Sequence, residues 1–137
     1  MAHSLQKLFG EVVLFFIDLA VNQEAEMLLY RFHDDLWLVG EPKKCAQAWK
    51  TMEQFSSVMR LEFNKRKTGS VYLTYDGKIK DNRIAAILPK GTVSVGFLKL
   101  DPETGDWMID QEEVSKHIEQ LQKQLLSCTS VLAWVQT

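Results

Sequence analysis

Residues 27–39, MLLYRFHDDLWLV, set two adjacent carboxylates, Asp34 and Asp35, between two short apolar runs. Met27, Leu28, Leu29, Tyr30 and Phe32 precede the acids, and Leu36, Trp37, Leu38 and Val39 follow them. Aromatic and branched residues favour strands, and a short polar break between two such runs reads as a hairpin. The reading therefore holds a pair of acids at a hairpin tip on a rigid base. Neighbouring carboxylates repel each other, and a hard divalent cation such as magnesium relieves that repulsion. The plainer alternative is a structural turn. Against it, a purely structural turn more often uses Gly or Asn.

The rest of the chain bounds what such a tip can belong to. With 137 residues, 46% of them hydrophobic, and four Trp, one globular domain with its own core is expected. Cys45 and Cys128 lie far apart without a CxxC spacing, which reads as reduced thiols in an intracellular protein, the nucleus being one candidate compartment. The apolar run at residues 12–21 is too short for a membrane span and carries Asp18, so a buried helix is expected and no membrane partner. No signal peptide is evident.

Net charge is −2, unevenly spread. Residues 1–40 hold two bases against six acids, residues 41–90 eleven against five, and residues 91–137 three against seven. A basic middle beside an acidic hairpin fits a nucleic-acid contact next to a metal site; a solvated positive face fits equally.

Upstream of the hairpin, Ser4 is a candidate N-cap for a helix running to about Val21. Leu5, Leu8, Phe9, Val12, Val13, Phe16 and Leu19 recur at helical spacing, and the apolar share is high enough to expect burial on more than one side. Asp18 is expected to face solvent or cap, and is rejected as a catalytic carboxylate. Residues 22–25 are expected to break the helix.

Downstream, Gly40-Glu41-Pro42 is a turn into a helix with Pro at an early position, running to about Met59. Cys45, Ala48, Trp49, Met52, Phe55 and Met59 form its apolar stripe; Cys45 reads as packing, since no catalytic partner is evident. Then comes Leu61-Glu62-Phe63-Asn64-Lys65-Arg66-Lys67-Thr68, a basic loop. Residues 70–75 (SVYLTY) alternate as a strand, Asp76-Gly77 is a turn, and residues 78–83 read as a loop. Residues 92–100 (TVSVGFLKL) read as one strand, residues 101–106 as a tight turn into Trp107-Met108-Ile109, and Asp110 as the cap of a last helix with the stripe Val114, Ile118, Leu121, Leu125, Leu126. His117 reads as a surface or interface residue. Residues 129–137 begin another apolar segment.

Three of these elements, in this order, resemble the reverse transcriptase family. Phe32-His33-Asp34-Asp35 looks like its aromatic-x-Asp-Asp hairpin, although His33 departs from the small or apolar residue usual there. The helix followed by Leu-x-Phe-Asn-x-x-Lys-Thr resembles the element that comes next in that family, telomerase-like members included. Gly96-Phe97-Leu98 resembles its Phe-Leu-Gly primer-gripping hairpin with the order changed; an ordinary strand glycine reads as well. Residues 27–42 are also similar to single-copy fungal reverse-transcriptase-like proteins.

The resemblance covers roughly residues 5–110 and implies a single partial palm: an α+β fold, antiparallel sheet with helices on one face, leading from about residue 110 into a helical region. It implies Asp34 and Asp35 as ligands of Mg2+ and Lys67 as the cation that offsets charge on the departing pyrophosphate. Lys65, Arg66, Gly96, Phe97 and Leu98 would contact an RNA or DNA template-primer, and a deoxynucleoside triphosphate would be the second substrate. The family's Gln-Gly motif and first metal-binding Asp find no match, so the resemblance implies an RNA-directed DNA polymerase fragment, inactive alone, lacking an upstream fingers and palm segment. The alternatives are a non-catalytic nucleic-acid-binding or scaffold module, and an unrelated α+β domain with a structural Asp-Asp turn.

Overall fold

Residues 2–32, 35–74 and 79–127 are described by the computed structural model. Among them the order is α1 (Ala2–Ala25), β1 (Tyr30–Phe32), β2 (Asp35–Trp37), α2 (Pro42–Met59), α3 (Asn82–Ile87), β3 (Ser94–Val95), β4 (Leu98–Leu100), β5 (Trp107–Ile109) and α4 (Gln111–Ser127). The fold class is α+β, and every strand pairing is antiparallel. β1 and β2 form one small sheet, and β3-β4-β5 a second.

The core lies where α1, α2 and the first hairpin meet. Ile17, Val21 and Ala25 of α1 cluster with Ala48 and Met52 of α2 and with Met27, and Leu29, Leu36 and Leu38 pack on this cluster from the hairpin. Val21 is fully buried. Spacing by four along α1 puts its three core residues on one face, which is what closes the helix against α2.

The first helix differs from expectation in three ways. It already includes Ser4 and continues past residue 22 to Ala25. Its end is made by Glu26, which adopts φ 51, while the Asn22 side-chain amide donates to the Met27 carbonyl at 3.5 Å. Its burial is one-sided: Leu5, Leu8, Phe9, Val12, Phe15, Phe16 and Leu19 remain 39–63% exposed.

α2 begins with Pro42 in its first turn. Missing its N–H costs nothing there, because first-turn N–H groups have no helical partner. The helix ends on Arg60 in the left-handed region (φ 55), with the Leu61 N–H donating to the Ser56 carbonyl at 2.8 Å. This six-to-one closure turns the chain sharply into the basic loop. Met59, expected in the buried stripe, is 43% exposed because the stripe outruns the core at this end.

Residues 70–74 form no strand despite their alternation. Their side chains find other partners. The Ser70 hydroxyl donates to the Pro89 carbonyl at 2.8 Å, the Tyr72 hydroxyl accepts from the Asp81 N–H, and Leu73 covers Gly105 so closely that an added Cβ there would sit 2.7 Å from Leu73 Cδ1. The expected turn at Asp76-Gly77 lies outside the described residues. Asn82 and Arg83, expected in a loop, open α3, which Asp81 caps by accepting from the Arg83 N–H at 2.9 Å.

Residues 92–100 are also not one strand. Val95 pairs with Leu98, leaving Gly96-Phe97 as a two-residue connection with Gly96 at φ 58. Glycine at the first position of such a turn supplies the positive φ that the right-handed strand twist demands. The turn at 101–106 and β5 follow the sequence reading: the Gly105 N–H donates to the Asp101 carbonyl and the Asp101 N–H to the Asp106 carbonyl. The Asp110 carboxylate accepts from the Glu112 and Glu113 N–H groups at 3.1 and 3.2 Å, the expected cap of α4.

Candidate nucleotide and nucleic-acid cleft

The first hairpin supplies one wall of the site. Phe32 stands opposite Asp35 in the β1–β2 register, so the two strands close across the two residues between them. Those residues, His33 and Asp34, lie outside the described residues. Asp35 is exposed at the start of β2, and among the described residues nothing hydrogen-bonds or ion-pairs with its carboxylate.

The basic loop supplies another part of the wall. It is anchored on α2 by the Phe63 ring, whose centroid lies 5.2 Å from that of Trp49. Asn64 then shapes the bend: its carbonyl accepts from the Lys67 N–H (2.9 Å) and the Thr68 hydroxyl (2.9 Å), and its side-chain oxygen accepts from the Arg66 N–H (3.1 Å). An Asn side chain that bonds two residues ahead fixes a turn with little help from the rest of the fold. The three consecutive bases Lys65, Arg66 and Lys67 are exposed, and no described carboxylate pairs with them. Behind the bend, Gly69 crosses Gly91 so tightly that a Cβ on Gly69 would sit 2.5 Å from the Gly91 carbonyl carbon.

These walls belong to an open cleft of about 1220 Å³. Asp35 lines it, and so do Asn64, Arg66 and Lys67. Gly96 and Lys99 of the second sheet reach the same cavity, as do the acids at the start of α4. Those acids are largely committed: Asp110 caps its helix, and Glu112 and Glu113 hold Lys116 Nζ at 3.2 and 2.8 Å. Lys116 is held above its ordinary pKa first by Glu113 and then by Glu112. Asp35 is therefore the uncommitted described carboxylate on the cleft wall, and it shares that cleft with two uncommitted cations of the bend, Arg66 and Lys67.

The other expected contacts divide. Lys65 lies on the loop but does not line the cleft. Gly96 lines it, whereas the Phe97 ring turns to His117 of α4, with centroids 5.1 Å apart, and Leu98 continues into β4. Lys99 was not singled out from the sequence; the only hint there is a base between two apolar strand residues. Asp18 neither faces open solvent nor caps. Its Oδ2 lies 3.0 Å from Arg31 Nε, and its Oδ1 is buried without a hydrogen-bond partner. Cys45 lines the cleft, and burial pushes its thiol pKa up, which disfavours the thiolate a nucleophile needs.

Among the described residues no three His, Cys, Asp or Glu side chains converge as a metal-binding group. Magnesium does not require one. It commonly takes one or two carboxylates together with substrate phosphates and water, and an exposed Asp35 in a cleft that Arg66 and Lys67 also line fits that mode. Among the described residues no helix is long and apolar enough to cross a membrane. Comparison with protein-family models, with curated proteins and with solved structures gave no match.

Proposed function

We propose that this chain is part of a reverse-transcriptase-like palm that holds a magnesium–deoxynucleoside triphosphate next to an RNA or DNA primer-template. One observation carries the reading: Asp35 on the hairpin and Arg66 and Lys67 on the Asn64 bend line the same cleft, although 30 residues of sequence, including a whole helix, separate Asp35 from Arg66. A carboxylate and two cations in one cleft are the charges that a metal-bound polyphosphate requires.

In this reading Asp35, with Asp34 beside it, holds Mg2+, which supplies positive charge to the phosphate oxygens. Lys67 offsets the charge that collects on the departing pyrophosphate, or donates a proton to it. Arg66 and Lys65 contact the phosphate backbone, and Gly96 leaves room for it. Nucleotidyl transfer by two metals needs further carboxylates. The chain alone is therefore expected to bind substrate without extending a primer.

The test is nucleotide binding by the isolated chain, read by calorimetry with and without magnesium. Affinity that requires magnesium, and that falls about tenfold or more in both Asp35→Asn and Lys67→Ala, supports the reading. Binding indifferent to magnesium and to both substitutions overturns it.

A second reading, a non-catalytic nucleic-acid-binding module, is favoured by the exposed Lys65-Arg66-Lys67 run, with which no described carboxylate pairs. It requires primer-template binding that weakens steeply with salt and is unchanged in Asp35→Asn.

A further inference from the structure

α1 is apolar on two opposite sides, and among the described residues only one of them is covered. Ile17, Val21 and Ala25 face α2. At roughly 100° per residue the seven exposed residues from Leu5 to Leu19 lie on the other side of the same helix. A helix with apolar residues around most of its circumference is ordinarily enclosed.

The spacing of the exposed residues indicates what encloses it. Positions 5, 8, 9, 12, 15, 16 and 19 read the same in both directions about Val12. If a second α1 is laid antiparallel on the first, with a two-fold axis through Val12, every member of the stripe meets another member. Leu5 meets Leu19, Leu8 meets Phe16, Phe9 meets Phe15, and Val12 meets itself. This is the self-complementarity that an isologous contact demands.

Area and charge agree with that occupant. With roughly 200 Å² for a whole leucine or phenylalanine, the stripe exposes on the order of 700 Å², close to the ~800 Å² per partner of a standard interface. No charged residue stands in the stripe. Glu11 and Asp18, which flank it, are drawn aside by Arg31 at 2.9 and 3.0 Å. An anionic lipid surface or a nucleic acid would instead call for lysines and arginines along the rim. The paired phenylalanines near the middle are the kind of anchor that dominates protein interfaces.

We infer that the Leu5–Leu19 face of α1 is a homodimer interface in which two copies of this chain pack their first helices antiparallel across a two-fold axis at Val12. The inference is independent of the cleft, none of whose lining residues belongs to α1.

The test is sedimentation of the whole chain at concentrations on the order of ten micromolar. The expected mass is twice the 15.8 kDa of one chain, and Val12→Asp should weaken the dimer at least tenfold with helix content by circular dichroism unchanged. In a background with Cys45 and Cys128 replaced by Ser, Val12→Cys should form a disulfide-linked dimer on mild oxidation, because a residue on the axis meets its own copy. A single-chain mass overturns the proposal, as does a dimer indifferent to Val12→Asp. Should Val12→Asp unfold the chain, the cross-link decides alone, and a Val12→Cys chain that stays monomeric on oxidation overturns it.

Discussion

Arg31 of β1 reaches Asp18 of α1 with Nε 3.0 Å from Oδ2, and the same guanidinium places a terminal nitrogen 2.9 Å from Glu11 Oε2. These bonds tie the acidic hairpin to the long helix that carries the core. Glu11 is the largest influence holding the Arg31 pKa above its ordinary value; burial opposes it, and Asp18 adds to it. Arg31→Ala would leave the Asp18 carboxylate without its partner. The expected loss is about 1 kcal/mol, small because water still reaches both groups. Urea unfolding measures it, and Asp18→Asn combined with Arg31→Ala should lose less than the two single losses added together. Additive losses would show that the pair does not act as a unit.

Gly69 backs the bend that presents Lys67. Its added Cβ would meet only backbone, at 2.5 Å from the Gly91 carbonyl carbon and 2.6 Å from the Gly91 and Thr92 oxygens. Backbone cannot swing aside as a side chain can, so Gly69→Ala is expected to cost roughly 1–3 kcal/mol. Under the proposed function it should also lower the affinity of the cleft for nucleotide. Gly10, around which nothing lies within 4 Å, is the control, and Gly10→Ala should stabilise α1 slightly.

Asp101 gives the turn before β5 a defined pH response. Its carboxylate accepts from the Glu103 N–H at 2.9 Å, and this bond, followed by those to Thr104, holds its pKa below the ordinary carboxylate value. A depressed folded-state pKa means that the contribution is present above the unfolded-state value and is lost as the pH falls through the folded-state one. Wild type should therefore exceed Asp101→Ala in stability near pH 7, and the difference should shrink as the pH falls below the ordinary carboxylate range. A difference that grows on acidification would contradict this hydrogen bond.

Cys45 should be a slow thiol. Burial raises its pKa, so at mildly alkaline pH the folded chain holds less thiolate than an unfolded one. In a Cys128→Ser background, alkylation by iodoacetamide is expected to be slower in the native protein than in urea, and under the proposed function magnesium-nucleotide should slow it further. Native and unfolded rates that agree would show that the cleft wall does not shield Cys45.

Local signals fixed much of this molecule before any packing was known. Two apolar runs around a short polar break gave β1 and β2, Pro42 gave the start of α2, and Asp110 gave the cap of α4. The bend at Asn64 belongs with them, since its hydrogen bonds all fall within four residues of sequence. At Gly96 the one-strand reading of residues 92–100 passed over a turn glycine, and the hairpin there rests on its positive φ.

Tertiary structure decided what depends on a distant partner. Residues 70–74 alternate as a strand should, but a strand is completed by a neighbouring ladder, and here Pro89, Asp81 and Gly105 engage their side chains instead. α1 has the composition of an enclosed helix, yet only contacts could show that one face is covered and the other open. Asp18 finds Arg31 across a chain reversal that no helical periodicity encodes. The same holds for the site. The sequence supplied Asp35 and Lys67 as chemistry, and the packing of the hairpin and the basic bend on α2 brought them to one cleft, because side chains far apart in sequence share a cavity only when the elements between them fold back.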